Sequence, residues 1–201
     1  GETSEDVELN IQTGYFGMAE ETGRLMNHAS IQAVRDGTGL GEGFAQALWN
    51  LNPPYAEASL MVQAQKLNIP ITVHVAIGTD IIHQHPTADG AAIGKASFDD
   101  FRLLTSIVAD LGSGGVVLNF GSAVILPEVF LKSLTVARNL GHTVRQFTTA
   151  NFDMVNHYRP QENVVRRPTS DGGQGFTFCG HHEIMIPLLA AGVKSRLVKS
   201  T

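Results

Sequence analysis

The residue types best able to do chemistry in this chain fall into three clusters. His83-Gln84-His85 follows closely on Asp80, and His181-His182-Glu183 stands near the other end. Residues two apart on an extended segment project to the same side. His83 and His85 could therefore share a zinc or iron ion if a third ligand came from the second cluster. Adjacent histidines seldom serve one metal, however, and histidines in loops commonly cap backbone groups. A polar, ligand-facing role is the stronger expectation, and no metal ligand is assigned. His83, His85 and His182 are the candidate proton-moving residues, because an imidazole ordinarily titrates near pH ~6.5 and suits acid and base work around neutrality.

The third cluster is the pair Gly121-Ser122 together with residues 149–153. Open α/β sheets bind ligands outside the carboxyl ends of their strands, and the polar residues here gather after the expected strands, at 80–85, 121–122 and 149–153. Gly121 and Ser122 are candidate cofactor contacts at a helix N-terminus; the plainer alternative is a tight turn and a helix cap. Asp153 and Glu162 could neutralise a cationic ligand or accept a ribose hydroxyl, or equally serve as an N-cap or a surface charge. Asp80, Glu162 and Glu183 are the candidate substrate contacts. Arg159, Arg166 and Arg167 could clamp a phosphate or carboxylate, the alternative being solvated loop charges. Gly112-Ser113-Gly114-Gly115 precedes its strand, whereas a dinucleotide fingerprint follows one. No G-x-S-x-G elbow surrounds Ser122, so a hydrolase triad is disfavoured.

The elements that must position these groups follow from periodicity. The first third reads as helical, over 4–12, 16–35, 40–50 and 54–67, with Gly and Pro breaks between, and Thr3 or Ser4 provides an N-cap signal. Met18, Leu25, Met26, Ala29 and Val34 lie near helical spacing and are expected in the core. Strands are expected over 71–77, 115–120 and 144–149, with helices over 97–111, 127–140 and 183–193; the segment between Asp153 and Glu183 reads as irregular. Phe98, Phe101, Leu104, Ile107 and Leu111 form the apolar stripe of the helix over 97–111. Strand and helix repeated in this way predict an α/β fold: a doubly wound, mostly parallel, Rossmann-like sheet with a helical N-terminal third.

At 201 residues, with 43% hydrophobic and 16% charged residues, the chain is expected to form one domain over 1–201. The abrupt helical start is expected either of a processed chain or a piece of a longer protein, or of a plain compact start. A net charge of −5 and a pI near 5.9 argue against a nucleic-acid partner. No window approaches the run of about 18 apolar residues that a spanning helix needs, and the acidic N-terminus is unlike a secretory signal. The single cysteine, Cys179, rules out an intramolecular disulfide and fits a reducing compartment, so a cytoplasmic location is expected.

From residue 69 to 191 the order of landmarks resembles deoxyhypusine synthase, an NAD-dependent enzyme that transfers a butylamine group from spermidine to a protein lysine. The resemblance is carried by Ile69-Pro70 with Thr79-Asp80, by Asp100-Phe101-Arg102-Leu103, by the glycine-bearing strand end at 116–124, and by Arg138-Asn139-Leu140-Gly141. It continues in Thr149-Ala150, Phe152-Asp153, Arg159-Pro160-Gln161-Glu162 and Pro187-Leu188-Leu189. It covers about the last 60% of the chain. It implies NAD as cofactor, with Thr149, Ala150, Asp153, His181 and His182 falling where NAD or polyamine contacts lie, and a homotetramer in which the helical first third supplies contact surface.

Two departures alter the chemistry implied. Pro168 stands where the family has the lysine that forms the covalent imine, and 124–128 (Val-Ile-Leu-Pro-Glu) stand where the family has its catalytic histidine. Without that amine, transfer through a lysine imine is chemically closed. His181-His182 also replaces the family's Asp-Ala. The expected function is thus that of a deoxyhypusine synthase-like protein, leaning towards an enzyme, that binds NAD or a related nucleotide and acts on a small amine or polyol. The alternatives are a non-catalytic ligand-binding or assembly domain of the same fold, and a metal-dependent hydrolase built on the histidines.

Overall fold

A computed structural model describes residues 4–15, 17 and 19–198. Thr3, Phe16 and Met18, to which the sequence assigned a cap, a helix start and a core position, lie outside the described residues. The chain divides into two compact units, Gly1–Leu103 and Leu104–Thr201.

The first unit is helical, as expected. Its helices are α1 (Ser4–Asn10), α2 (Glu20–Asp36), α3 (Leu40–Leu51) and α4 (Leu60–Leu67), followed by the start of α5 (Gly90–Ala109). Glu20 and Glu21 in the first turn and Arg35 in the last suit the dipole of α2. The helix expected over 54–67 is shorter, because Ser59 caps α4 by accepting from the Val62 amide at 3.4 Å. Ala29, Ala33, Leu40, Phe44 and Ala96 form the core, with Met26, Val34, Val73 and Val75 against it. Leu25, expected inside, is 40% exposed.

Two expectations are corrected here. Helix α5 begins at Gly90 rather than 97, because the Asp89 carboxylate accepts from the amides of Ala91 (2.9 Å) and Ala92 (3.0 Å) and starts the helix early. Within this unit it turns Ile93, Ala96 and Asp100 inward, leaving Phe98, assigned to its apolar stripe, exposed. The segment 71–77 forms no strand, because its backbone is satisfied by side chains of α5. The Val73 amide donates to Asp100 Oδ2 at 2.7 Å and the Val75 amide to Ser97 Oγ at 3.1 Å, while Ser97 Oγ donates to the Val73 carbonyl at 3.2 Å.

The second unit holds a three-stranded, wholly parallel, open sheet in the order β1 (Val116–Phe120), β2 (Thr148–Asp153), β3 (Gln174–Cys179). The molecule is therefore mixed α/β. Strand β1 leads into α6 (Ile125–Asn139); after β2 come a short helix, α7 (Tyr158–Pro160), and the π-helical segment Gln161–Arg166; after β3 comes α8 (His182–Leu197). Phe130, Leu134 and Ala137 of α6 pack with Val144, Phe147 and Val164 in the core.

The strand expected over 144–149 is displaced to β2. Gln146 adopts a left-handed φ of 56°, which interrupts an extended run, and Val144 and Phe147 are buried as core rather than paired. Strand β3 was not expected at all, since Gly172, Gly173 and Gly175 look like loop signals. Gly175 answers to packing instead: a Cβ there would sit 2.4 Å from the Val165 carbonyl oxygen, so only glycine lets the strand lie against the π-helical segment.

Candidate functional site

Polar groups in the second unit converge on the carboxyl edge of the sheet, and the convergence starts from a local repeat. Strand β1 ends in Asn-Phe and β2 in Asn-Phe-Asp, and the register pairs Asn119 with Asn151 and Phe120 with Phe152. Alternation along a strand then sends the asparagines to one face and the phenylalanines to the other. On the first face Asn119 Nδ2 donates to Asn151 Oδ1 at 2.7 Å and to the Ser122 carbonyl at 3.0 Å, tying the Gly121-Ser122 turn to the central strand. On the second face Phe120, Phe152 and Phe178 stack, with ring centroids 4.6 and 4.8 Å apart.

The end of β2 holds the edge together. The Phe152 carbonyl accepts from the Gly121 amide at 3.0 Å and lies 3.1 Å from His182 Nε2, while the Asp153 carbonyl accepts from the Gly180 amide at 3.0 Å. Because a carbonyl can only accept, it is Nε2–H of His182 that donates in this contact. The ring rests against Gly121, whose φ of +64° is left-handed; a Cβ there would stand 3.0 Å from His182 Cε1. Glycine is thus required twice over, by backbone and by space.

Thr149, Asn151 and Asp153 lie on one buried face of β2, and Thr149 Oγ1, Asn151 Nδ2 and Asp153 Oδ2 have no hydrogen-bond partner. Asp153 Oδ1 accepts from the Met154 amide at 2.7 Å, and His157 Nε2 lies 4.0 Å from Oδ2. A buried carboxylate oxygen left without a donor is costly, and an O–H or N–H of a ligand at the strand end would relieve it. Ala150 faces the opposite way, into an apolar groove of about 770 Å³ bounded by the sheet and α8.

Most of the remaining candidates have partners of their own. Ser122 Oγ accepts from the Leu126 amide at 3.2 Å, so it caps α6. Glu162 holds Arg166 at 2.9 Å and Arg167 at 3.4 Å, and the hydrogen bond from Arg166 holds its carboxyl below the usual carboxylate range. Arg159 reaches Glu128 at 3.5 Å. Each arginine of the conceived phosphate clamp therefore faces a carboxylate already. His181 is the exposed N-cap residue of α8, without a side-chain cap bond, and Glu183 is exposed in the first turn.

Asp80, His83 and His85 belong to the first unit. Asp80 and His83 cap the short 3-10 turn Ile81–Gln84 reciprocally: Asp80 Oδ1 accepts from the Ile82 amide at 3.0 Å, and His83 Nδ1 accepts from the amides of Gly78 (3.1 Å) and Asp80 (3.3 Å). His85 is buried, its Nδ1 2.7 Å from Thr87 Oγ1 and its Nε2 3.6 Å from Glu20. Both Nδ1 atoms are thus occupied locally, while His83 Nε2 is buried without a hydrogen-bond partner. Among the described residues no group of three or more His, Cys, Asp or Glu side chains is placed to hold a metal ion, and no helix is long and apolar enough to cross a membrane.

The residues that sequence reasoning missed are Asn119 and Phe178; Asn151 fell within the 149–153 cluster but was given no role. The Asn-Phe pair shared by two strands was a legible signal for Asn119 beside Asn151; Phe178 sits on a strand hidden by its glycines. No protein-family model matches the chain, and neither a curated protein nor a solved structure matches it.

A dinucleotide can be tested against these groups. The N-terminus of α6 offers little to a pyrophosphate: the Leu126 amide is taken by Ser122, Pro127 has none, and the Glu128 amide already donates to the Val124 carbonyl. A ribose hydroxyl is the kind of donor that Asp153 Oδ2 lacks, although that oxygen is closed off from solvent and the strand end would have to open to admit one.

Proposed function

We propose that the second unit is the ligand-binding part of a deoxyhypusine synthase-like protein with a doubly wound, Rossmann-like sheet. It binds NAD or a related nucleotide at the carboxyl edge of β1 to β3 and acts on a small amine or polyol without a lysine imine. Helices on both faces support the sheet reading, with α6 packed against one face and α8 over the other. The observation that carries the site is the unpartnered, buried Asp153 Oδ2 at the end of the central strand, one residue beyond the carbonyl that anchors His182.

In this reading Asp153 receives a ribose hydroxyl, and bound NAD would supply hydride acceptance. His182 moves the proton: Nδ1 takes one from a substrate hydroxyl or amine while Nε2–H stays on the Phe152 carbonyl, which stabilises the imidazolium so formed. Pro127 and Pro168 are fully buried packing residues, in keeping with loss of the family's histidine and lysine chemistry. A homotetramer belongs to the same proposal.

Calorimetric titration of the full chain with NAD tests the binding. Heat is expected, with affinity falling at least about tenfold in Asp153→Asn, the loss of one charge-assisted hydrogen bond. No heat at millimolar NAD overturns the reading. A non-catalytic assembly role is the second reading, favoured by the absence of buried residues in α8; it predicts ligand binding that His182→Ala leaves intact and no turnover in the unaltered chain.

A further inference from the structure

Helix α8 turns one stripe of its surface toward the sheet. Met185, Leu188, Leu189, Gly192, Val193 and Arg196 recur at alternate intervals of three and one, which sets them along one side of the helix. All six line the groove of about 770 Å³ whose other wall is Leu118, Ala150, Phe152 and Phe178. Packing within the chain explains neither the glycine nor the arginine of that stripe. Glycine weakens a helix interior, yet a Cβ at Gly192 would meet no atom within 4 Å, so no neighbouring group demands it and the position keeps space open beside the groove. Among the described residues lining the groove only Arg196 is charged, and it closes the stripe, about 16 Å from Met185 along the helix axis at about 1.5 Å per residue.

We propose that this groove binds an unbranched aliphatic carboxylate, a medium-chain free fatty acid, with its chain along the apolar stripe and its carboxylate on Arg196. The two walls select that occupant. Leu, Met, Val and Phe side chains offer no hydrogen bond, so the body of the ligand must be apolar. A guanidinium at the end of such a slot matches a carboxylate, whose two oxygens its parallel N–H groups can meet, whereas an ammonium head would face a like charge. Length agrees as well: carbon–carbon bonds of about 1.5 Å advance ~1.3 Å per atom in a zigzag, so about ten to twelve carbons reach from Arg196 to Met185. The groove lies on the sheet face opposite Asp153, so absence of NAD binding leaves this inference standing.

Calorimetric titration of the full chain with decanoate, without NAD and below the concentration at which decanoate forms micelles, tests it. Two temperatures are used, because apolar burial carries a heat-capacity change that makes the heat visible at one of them. Saturable binding at one site per chain is expected. Decan-1-ol, the same chain without the charge, should bind at least about tenfold more weakly, the loss of one charge-assisted contact, and decylammonium more weakly still. Arg196→Gln should lower the affinity for decanoate by the same factor and leave that for decan-1-ol unchanged. Gly192→Leu, which fills the slot while favouring the helix, should abolish binding of both. Hydrogen exchange on the unaltered chain gives an answer that no variant's folding can obscure: decanoate should slow exchange in peptides from 174–179 and 182–197. No saturable heat with decanoate at either temperature overturns the proposal. So does equal affinity for the acid and the alcohol, binding that Gly192→Leu or Arg196→Gln leaves intact, or ligand protection confined to other segments.

Discussion

At the scale of single residues, the second unit is organised around backbone groups at the end of β2 and the first around Asp100. Asp100 is fully buried, with its Oδ2 accepting from the amides of Gly41 (2.9 Å) and Val73 (2.7 Å). Burial pushes its carboxyl above the ordinary value of 3.8, and the amides of Val73, Gly41 and Leu40 pull the other way. A carboxyl whose pKa is higher folded than unfolded contributes stability that is complete below the unfolded value and lost as pH rises through the folded one. Asp100→Asn, which keeps an acceptor, should therefore flatten the decline of the urea midpoint as pH rises from about 4. Asp100→Ala should cost about 2–4 kcal/mol by leaving these backbone amides without an acceptor. His74 has the opposite sign: burial holds its imidazole below 6.5, so stability present above that value is lost as pH falls, and His74→Gln should remove the loss. In the second unit Gly121→Ala forces an L-residue into left-handed backbone against the His182 ring. A cost of about 1–2 kcal/mol is expected, read as a lower melting temperature.

At the scale of elements, what was legible depended on whether a segment's signal was local. The helices of the first unit and the pair β1, α6 were foreseeable because apolar spacing and turn residues lie within the segment itself. The segment 71–77 was misjudged for a specific reason: Ile, Val and alternation mark an extended chain, but whether it becomes a strand depends on who bonds its amides. Ser97 and Asp100 of α5 do so here. Ser97→Ala, leaving the Val75 amide without its partner, should lower stability by about 1–2 kcal/mol in urea unfolding, which a ladder-bonded strand would not suffer. Strand β3 was missed for the converse reason. Its glycines answer to the Val165 carbonyl beside Gly175, a contact ten residues back in sequence, and Gly175→Ala should destabilise by about 1–3 kcal/mol through overpacking.

At the scale of the whole molecule, association is the property that most needs testing. If the chain assembles as the proposed homotetramer, the folded state is coupled to protomer concentration, and the melting temperature should rise as protein concentration rises. By itself the sequence determined the succession of helices, the α/β character, the apolar strand ends and the residue types able to move protons, since each of these depends on near neighbours. Only the tertiary structure decided that His83 caps a turn while His182 is pinned to the sheet edge, that Asn119 and Asn151 join two strands, and that α8 has no buried residue. Those outcomes turn on which groups meet from distant parts of the chain, and hydrogen-bond partners and burial are settled by that meeting rather than by spacing along the sequence.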